Sequence, residues 1–193
     1  MQSRQDMSAF VVAMLKEKLS PFYFYHDYRH TLYVVDRAIE IGRCENCTEA
    51  ELELLAAAAL WHDTGFLNTY INHEQESCVL ARKYLPEYGF SAADTAAVCG
   101  MIMATKMPQS PENKLEMIIA DADLEYLGTA SVEEKAADLY KELQHRTPSL
   151  SKTQWNKTQI AFLEAHQYFT PFCKKKKAPA KQAYLHRLLL QNG

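Results

Sequence analysis

Glycine and proline are scarce in this 193-residue sequence, at six and seven residues, against average usages of about 7% and 5%. Tight turns are correspondingly few, which disfavours an architecture of many short strands joined by hairpins. Long hydrophobic runs are missing too. The most apolar stretch, Leu54 to Trp61, has eight residues, whereas a membrane-spanning helix needs about 20. No charge of one sign dominates: 21 Lys and Arg stand against 24 Asp and Glu, a formal net charge of −3. That balance argues against a binder of extended nucleic acid, and the run Lys174 to Lys177 reads as a solvated segment. The first residues carry no basic region followed by an apolar core, so a cytoplasmic location is expected. Five cysteines form no disulfide framework and suit reduced thiols. Cys44 and Cys47 have C-x-x-C spacing, but no second pair accompanies them at zinc-finger distance.

What is present is an ordinary globular composition, 48% hydrophobic and 23% charged, that suits one domain over residues 1–193. Helix-start signals recur. Thr48 with Glu51, Asn72 with Gln75 and Ser131 with Glu134 match the capping-box pattern, and Ser91 opens a further segment. Helices are expected at about 4–19, 28–41, 48–63, 72–85, 91–105, 114–127, 131–147, 151–169 and 179–191. No segment alternates with period two between turn signals. The expected fold is an all-α helical bundle of eight or nine helices, with residues 131–193 completing it.

Three of these helices carry polar, metal-competent side chains on apolar stripes. His30 shares a stripe with Val34, Ala38 and Ile41. His62 follows Leu55 and Ala58 on one face, and Asp63 follows Leu52, Ala56 and Ala59 on another. A carboxylate on such a stripe must pair, neutralise or bind a cation. In the third helix Leu115, Ile118, Ile119, Ala122 and Tyr126 share a face at 100° per residue. Asp123 lies nearer that face than Asp121, so Asp123 is expected inside and Asp121 on the outer side, where it could orient a ligand or be solvated.

At these residues the sequence resembles the HD-domain superfamily of metal-dependent phosphohydrolases, whose signature is H…HD…D. The matching segments are Tyr25-His26-Asp27-Tyr28-Arg29-His30-Thr31, Ala59-Leu60-Trp61-His62-Asp63-Thr64-Gly65-Phe66 and Ala120-Asp121-Ala122-Asp123-Leu124. The resemblance is closer still to the branch of small HD proteins with Y-H-x-x-x-H-T, N-H-E-x-E-S and D-A-D-L-x-Y-L-G segments, over about residues 20–130. The resemblance implies a divalent metal held by His30, His62, Asp63 and Asp123, with Asp121 the alternative last ligand. Two imidazoles and two carboxylates suit Mn, Fe, Co, Ni or Zn better than Mg. One ion is favoured. His73 matches the first additional ligand of binuclear relatives, but Ala104-Thr105-Lys106-Met107-Pro108 stands where their later His pair would fall.

The implied activity is hydrolysis of a phosphoester of a small molecule, a nucleotide or cyclic nucleotide, by metal-activated water. Asp63, Asp121 or Glu74 are candidates to take the water's proton, and Arg29 and Lys106 to neutralise phosphate oxygens. His26 is a candidate neighbour of the ligands. The rival readings are an oxygenase holding two irons and a non-catalytic metal- or nucleotide-binding signalling module. The expected partner is a small phosphorylated substrate rather than nucleic acid or membrane, for a monomer or homodimer.

Overall fold

Side-chain caps determine where the site-bearing helices begin. The computed structural model describes residues 4–192, among which helices occur and no strand does. The helices are α1 (Arg4–Lys18), α2 (Tyr28–Cys44), α3 (Glu49–Trp61), α4 (His73–Tyr84) and α5 (Ala92–Ala104). They continue with α6 (Lys114–Asp123), α7 (Val132–Arg146), α8 (Lys152–Ala165), α9 (Pro171–Lys176) and α10 (Ala178–Asn192). Short 3-10 turns follow α3 (Thr64–Leu67), α4 (Leu85–Tyr88) and α6 (Glu125–Gly128). None of these helices is long and apolar enough to cross a membrane.

Asp27 starts α2 by accepting from the backbone N–H groups of Arg29 and His30, and Asn113 starts α6 in the same way. Capping boxes form at Thr48/Glu51 and Ser91/Asp94, and a third joins Ser151 to Gln154. The box expected at Asn72 does not form. That residue sits in the left-handed region at φ 57°, and its side-chain oxygen accepts from Lys106 Nζ at 2.9 Å instead. Ser131 likewise forms no side-chain cap, because Thr129 Oγ1 engages both its backbone N–H and its hydroxyl. The helix beyond the eight or nine expected is α9, where Thr170 accepts from Cys173 N ahead of a first-turn Pro171. The helix expected over 151–169 ends at Ala165, since His166 turns to an extended backbone.

Two apolar clusters result. The larger one joins α1 to α6 through residues such as Val34, Ile41, Leu55, Trp61, Ile102 and Ile118. The smaller one gathers Tyr25, Leu124, Tyr126, Leu127, Val132, Leu163 and Tyr184, uniting the turn after α6 with α7, α8 and α10. Asp121 fastens the segment between α8 and α9 to α6. Its carboxylate accepts from Phe169 N at 2.8 Å, Thr170 N at 2.8 Å and Thr170 Oγ1 at 2.6 Å. Its side chain is therefore fully buried, not on the outer side: residues 169–170 cover the face that α6 alone would leave to solvent.

The turn after α3 lies hard against the start of α4. A Cβ on Gly65 would stand 1.9 Å from the His73 carbonyl oxygen, so only glycine fits without moving one backbone off the other. Gly65→Ala is expected to destabilise the protein by about 1–3 kcal/mol, measured as a lower urea midpoint with an unchanged slope.

Candidate metal centre

Helix ends carry the central side chains. His30 is in the first turn of α2, His62 and Asp63 follow α3, and Asp123 ends α6. Because these three helices pack on one another, their ends bring four side chains to one point. His30 Nε2 lies 3.0 Å from Asp123 Oδ1 and 3.5 Å from Asp63 Oδ2. His62 Nε2 lies 3.2 Å from Asp63 Oδ2 and 3.5 Å from Asp123 Oδ1. His30, His62 and Asp123 each offer a donor atom within 4.8 Å of the others. His30, His62 and Asp63 are buried.

The residues fit a divalent cation. His62 Nδ1–H donates to the Ala59 carbonyl at 2.7 Å, which orients the ring and leaves Nε2 for the centre. Within hydrogen-bonding range His62 Nε2 and Asp63 Oδ2 find no partner of acceptable geometry, although both are buried. A cation is what such orphaned donors lack. Burial alone would raise the Asp63 carboxyl pKa, but the His62 and His73 imidazoles outweigh it and hold it well below the usual range. Burial acts on Asp123 the same way and is overcome by His30 and His62. For His62, burial disfavours charge, yet Asp63 and Asp123 raise its pKa well above the ordinary value. The cluster thus demands positive charge at its middle, which a proton or a metal ion satisfies.

Asp63 divides its oxygens. While Oδ2 faces His30 and His62, Oδ1 lies 3.5 Å from His73 Nε2. His73 is therefore at the centre, on the far side of Asp63, with Glu74 Oε1 3.7 Å from its ring nitrogen. Thr105 and Met107 line the neighbouring wall.

Two supports join the centre to the rest of the chain. Ser77, fully buried on α4, accepts from Gly65 N at 2.8 Å and donates to the His62 carbonyl at 2.6 Å, clamping the His-Asp turn from both sides. It is the serine of the N-H-E-x-E-S segment. Glu142, buried on α7, accepts from the backbone N–H groups of Tyr25 and His26 and from His26 Nδ1–H at 2.5 Å. The His26 ring is set against Phe66, with its centre 6.0 Å from that of His30. Glu142 was not among the residues singled out from sequence, and at 116 positions from His26 no local pattern could have found it.

The remaining candidates lie elsewhere. Asp121 is bonded to residues 169–170, and its oxygens are engaged there. Arg29 pairs with Asp27 through Nε and Nη2, each at 2.6 Å, and its side chain is 69% exposed. Lys106 is held by Asn72. None of the three lines the cavity of about 280 Å³ that adjoins Asp63, His73, Glu74 and Asp123.

Substitution should separate ligands from supports. His30→Ala, His62→Ala and Asp123→Asn are expected to lose bound divalent metal, measured on protein purified without chelator. Asp121→Ala is expected to keep it while losing about 1–3 kcal/mol of stability, because three donors lose their acceptor. Metal retained by Asp123→Asn and lost with Asp121→Ala would reverse this assignment.

Comparison with known proteins agrees with this geometry. The HD-domain family model matches residues 27–125, the stretch from the α2 cap to the turn after Asp123. No curated protein matches. Among solved structures, one described as a predicted HD superfamily hydrolase, from an uncultured Thermotogales bacterium, superposes with a TM-score of 0.64 at 21% identity. The alignment covers 98% of this chain and 93% of that one. Bacillus subtilis YpgQ, crystallised in complex with ADP, gives a TM-score of 0.65 at 18% identity over 97% and 93% of the two chains. With half of its length matched by the family model and its H…HD…D residues gathered at three packed helix ends, the chain belongs to the HD domain family.

Proposed function

We propose that the protein is a metal-dependent phosphohydrolase that cleaves a phosphoester of a small molecule. The observation that carries this reading is the meeting of His30, His62, Asp63 and Asp123 beside a cavity. A nucleotide, cyclic or linear, is the phosphoester that the resemblance implies. When bound, a divalent ion supplies a water acidic enough to attack near neutral pH and a Lewis acid for the phosphoryl oxygen. The four side chains hold that ion, and their mixed nitrogen and oxygen donors favour Mn, Fe, Co, Ni or Zn over Mg.

The chain's own groups then manage protons. Asp63, whose Oδ1 faces away from His30 and His62 toward His73, accepts the proton of the attacking water, and the buried Glu74 beside it is a second acceptor. His26 lines the cavity, and with Nδ1 committed to Glu142 its Nε2 remains to deliver a proton to the leaving oxygen. A two-iron oxygenase would need more donors beside His73 than Asp63 Oδ1 and Glu74 provide among the described residues.

The test is hydrolysis by protein loaded with Mn, Co or Ni and offered nucleotides, generic phosphodiesters and simple phosphomonoesters. Turnover above that of His62→Ala is expected, and its absence across the panel would sink the proposal. His26→Gln is expected to retain metal while losing roughly a hundredfold or more in kcat, the usual worth of a positioned acid or base.

A further inference from the structure

The cavity beside the metal centre has two characters. Where it meets the centre it is lined by Asp63, His73, Glu74, Asp123 and His26. Away from the centre it runs among Leu127, Leu139, Leu143, Trp155 and Phe162, contributed by the turn after α6 and by α7 and α8. The polar groups in that part are few, and one of them, Gln159 Oε1, already accepts from Tyr184 OH at 3.0 Å. No lysine or arginine is among the lining residues. A volume of about 280 Å³ is near the lower end of the roughly 300–1,000 Å³ typical of small-molecule sites.

We infer that the substrate's organic group is uncharged and apolar, and lodges between α7 and α8 while a single phosphoryl group occupies the metal centre. This rests on the phosphohydrolase reading but departs from the nucleotide that the resemblance implies. A second or third phosphate inside the cavity would meet carboxylates and no lysine or arginine. Ribose hydroxyls and a base edge would give up water for a wall of leucines and aromatic rings, leaving polar groups unpaired. An alkyl or aryl group gains from the same wall. In the reaction the water oxygen bonds to phosphorus, the bond from phosphorus to the ester oxygen breaks, and that oxygen takes a proton to leave as an apolar alcohol beside inorganic phosphate.

The experiment uses metal-loaded protein with methyl, butyl and hexyl phosphate, glycerol phosphate and AMP. On this proposal kcat/KM rises by roughly fourfold for each added methylene until the cavity is full, and hexyl phosphate exceeds AMP. Ala136→Phe and, separately, Leu143→Phe fill the cavity without touching the centre. Each should lower kcat/KM for hexyl phosphate and erase its preference over methyl phosphate. Preference for AMP or glycerol phosphate, or no dependence on chain length, would overturn the inference. Calorimetric titration with methylphosphonate, hexylphosphonate and AMP provides a second reading independent of turnover. If no ester is hydrolysed yet hexylphosphonate binds more tightly than methylphosphonate, and Ala136→Phe removes that difference, the apolar site stands and the hydrolase reading falls. Equal binding of the two phosphonates overturns the apolar site itself.

Discussion

Two carboxylates packed with two imidazoles inside a helical core set the terms for the rest of the structure. Asp63 and Asp123 remain ionised despite burial because His30, His62 and His73 face them at 3.0–3.5 Å. Removing one member leaves the opposite charge desolvated and unpaired, which is costlier than never having buried either. The centre therefore tolerates little displacement. Its donors come from helix ends, where a cap or a tight turn decides a side chain's position, rather than from helix middles.

That demand explains features that look incidental when taken singly. The Asp27 cap places His30 in the first turn of α2. Ser77 bonds to both Gly65 and His62, and Gly65 is glycine because the His73 carbonyl leaves no space for a Cβ. Glu142 ties His26 and Tyr25 to α7. Each contact spends local freedom to hold one nitrogen or oxygen at the centre.

The helical architecture and most of the central residues were legible in the sequence, since caps and apolar stripes are local. Asp123 is brought to the centre, as its helical face suggested. For Asp121 the same rule failed: residues 169–170 cover the face that the α6 pattern left polar, and a partner 48 residues away leaves no mark on a helical wheel. Asn72 kept its capping-box sequence yet took a left-handed backbone and gave its side chain to Lys106, a tertiary contact outweighing a local preference. Arg29 and Lys106 had charge suited to phosphate, but Asp27 and Asn72 claim them. The cavity was beyond reach of sequence, because its walls come from helices that meet only after the chain has folded back on itself.

The division of the core into two clusters also bears on how such a protein changes over generations. The metal donors descend from α2, α3 and α6, whereas the apolar walls of the cavity come mainly from α7 and α8 and the turn before them. If the cavity admits the substrate as proposed, substitutions in its walls would alter what is admitted without moving a donor atom, so recognition and chemistry would be free to drift separately. Glu142 is the exception. Standing on α7 yet gripping His26, it ties the half that walls the cavity to the His26 side of the centre, and it limits how far α7 can be remodelled before that side is disturbed.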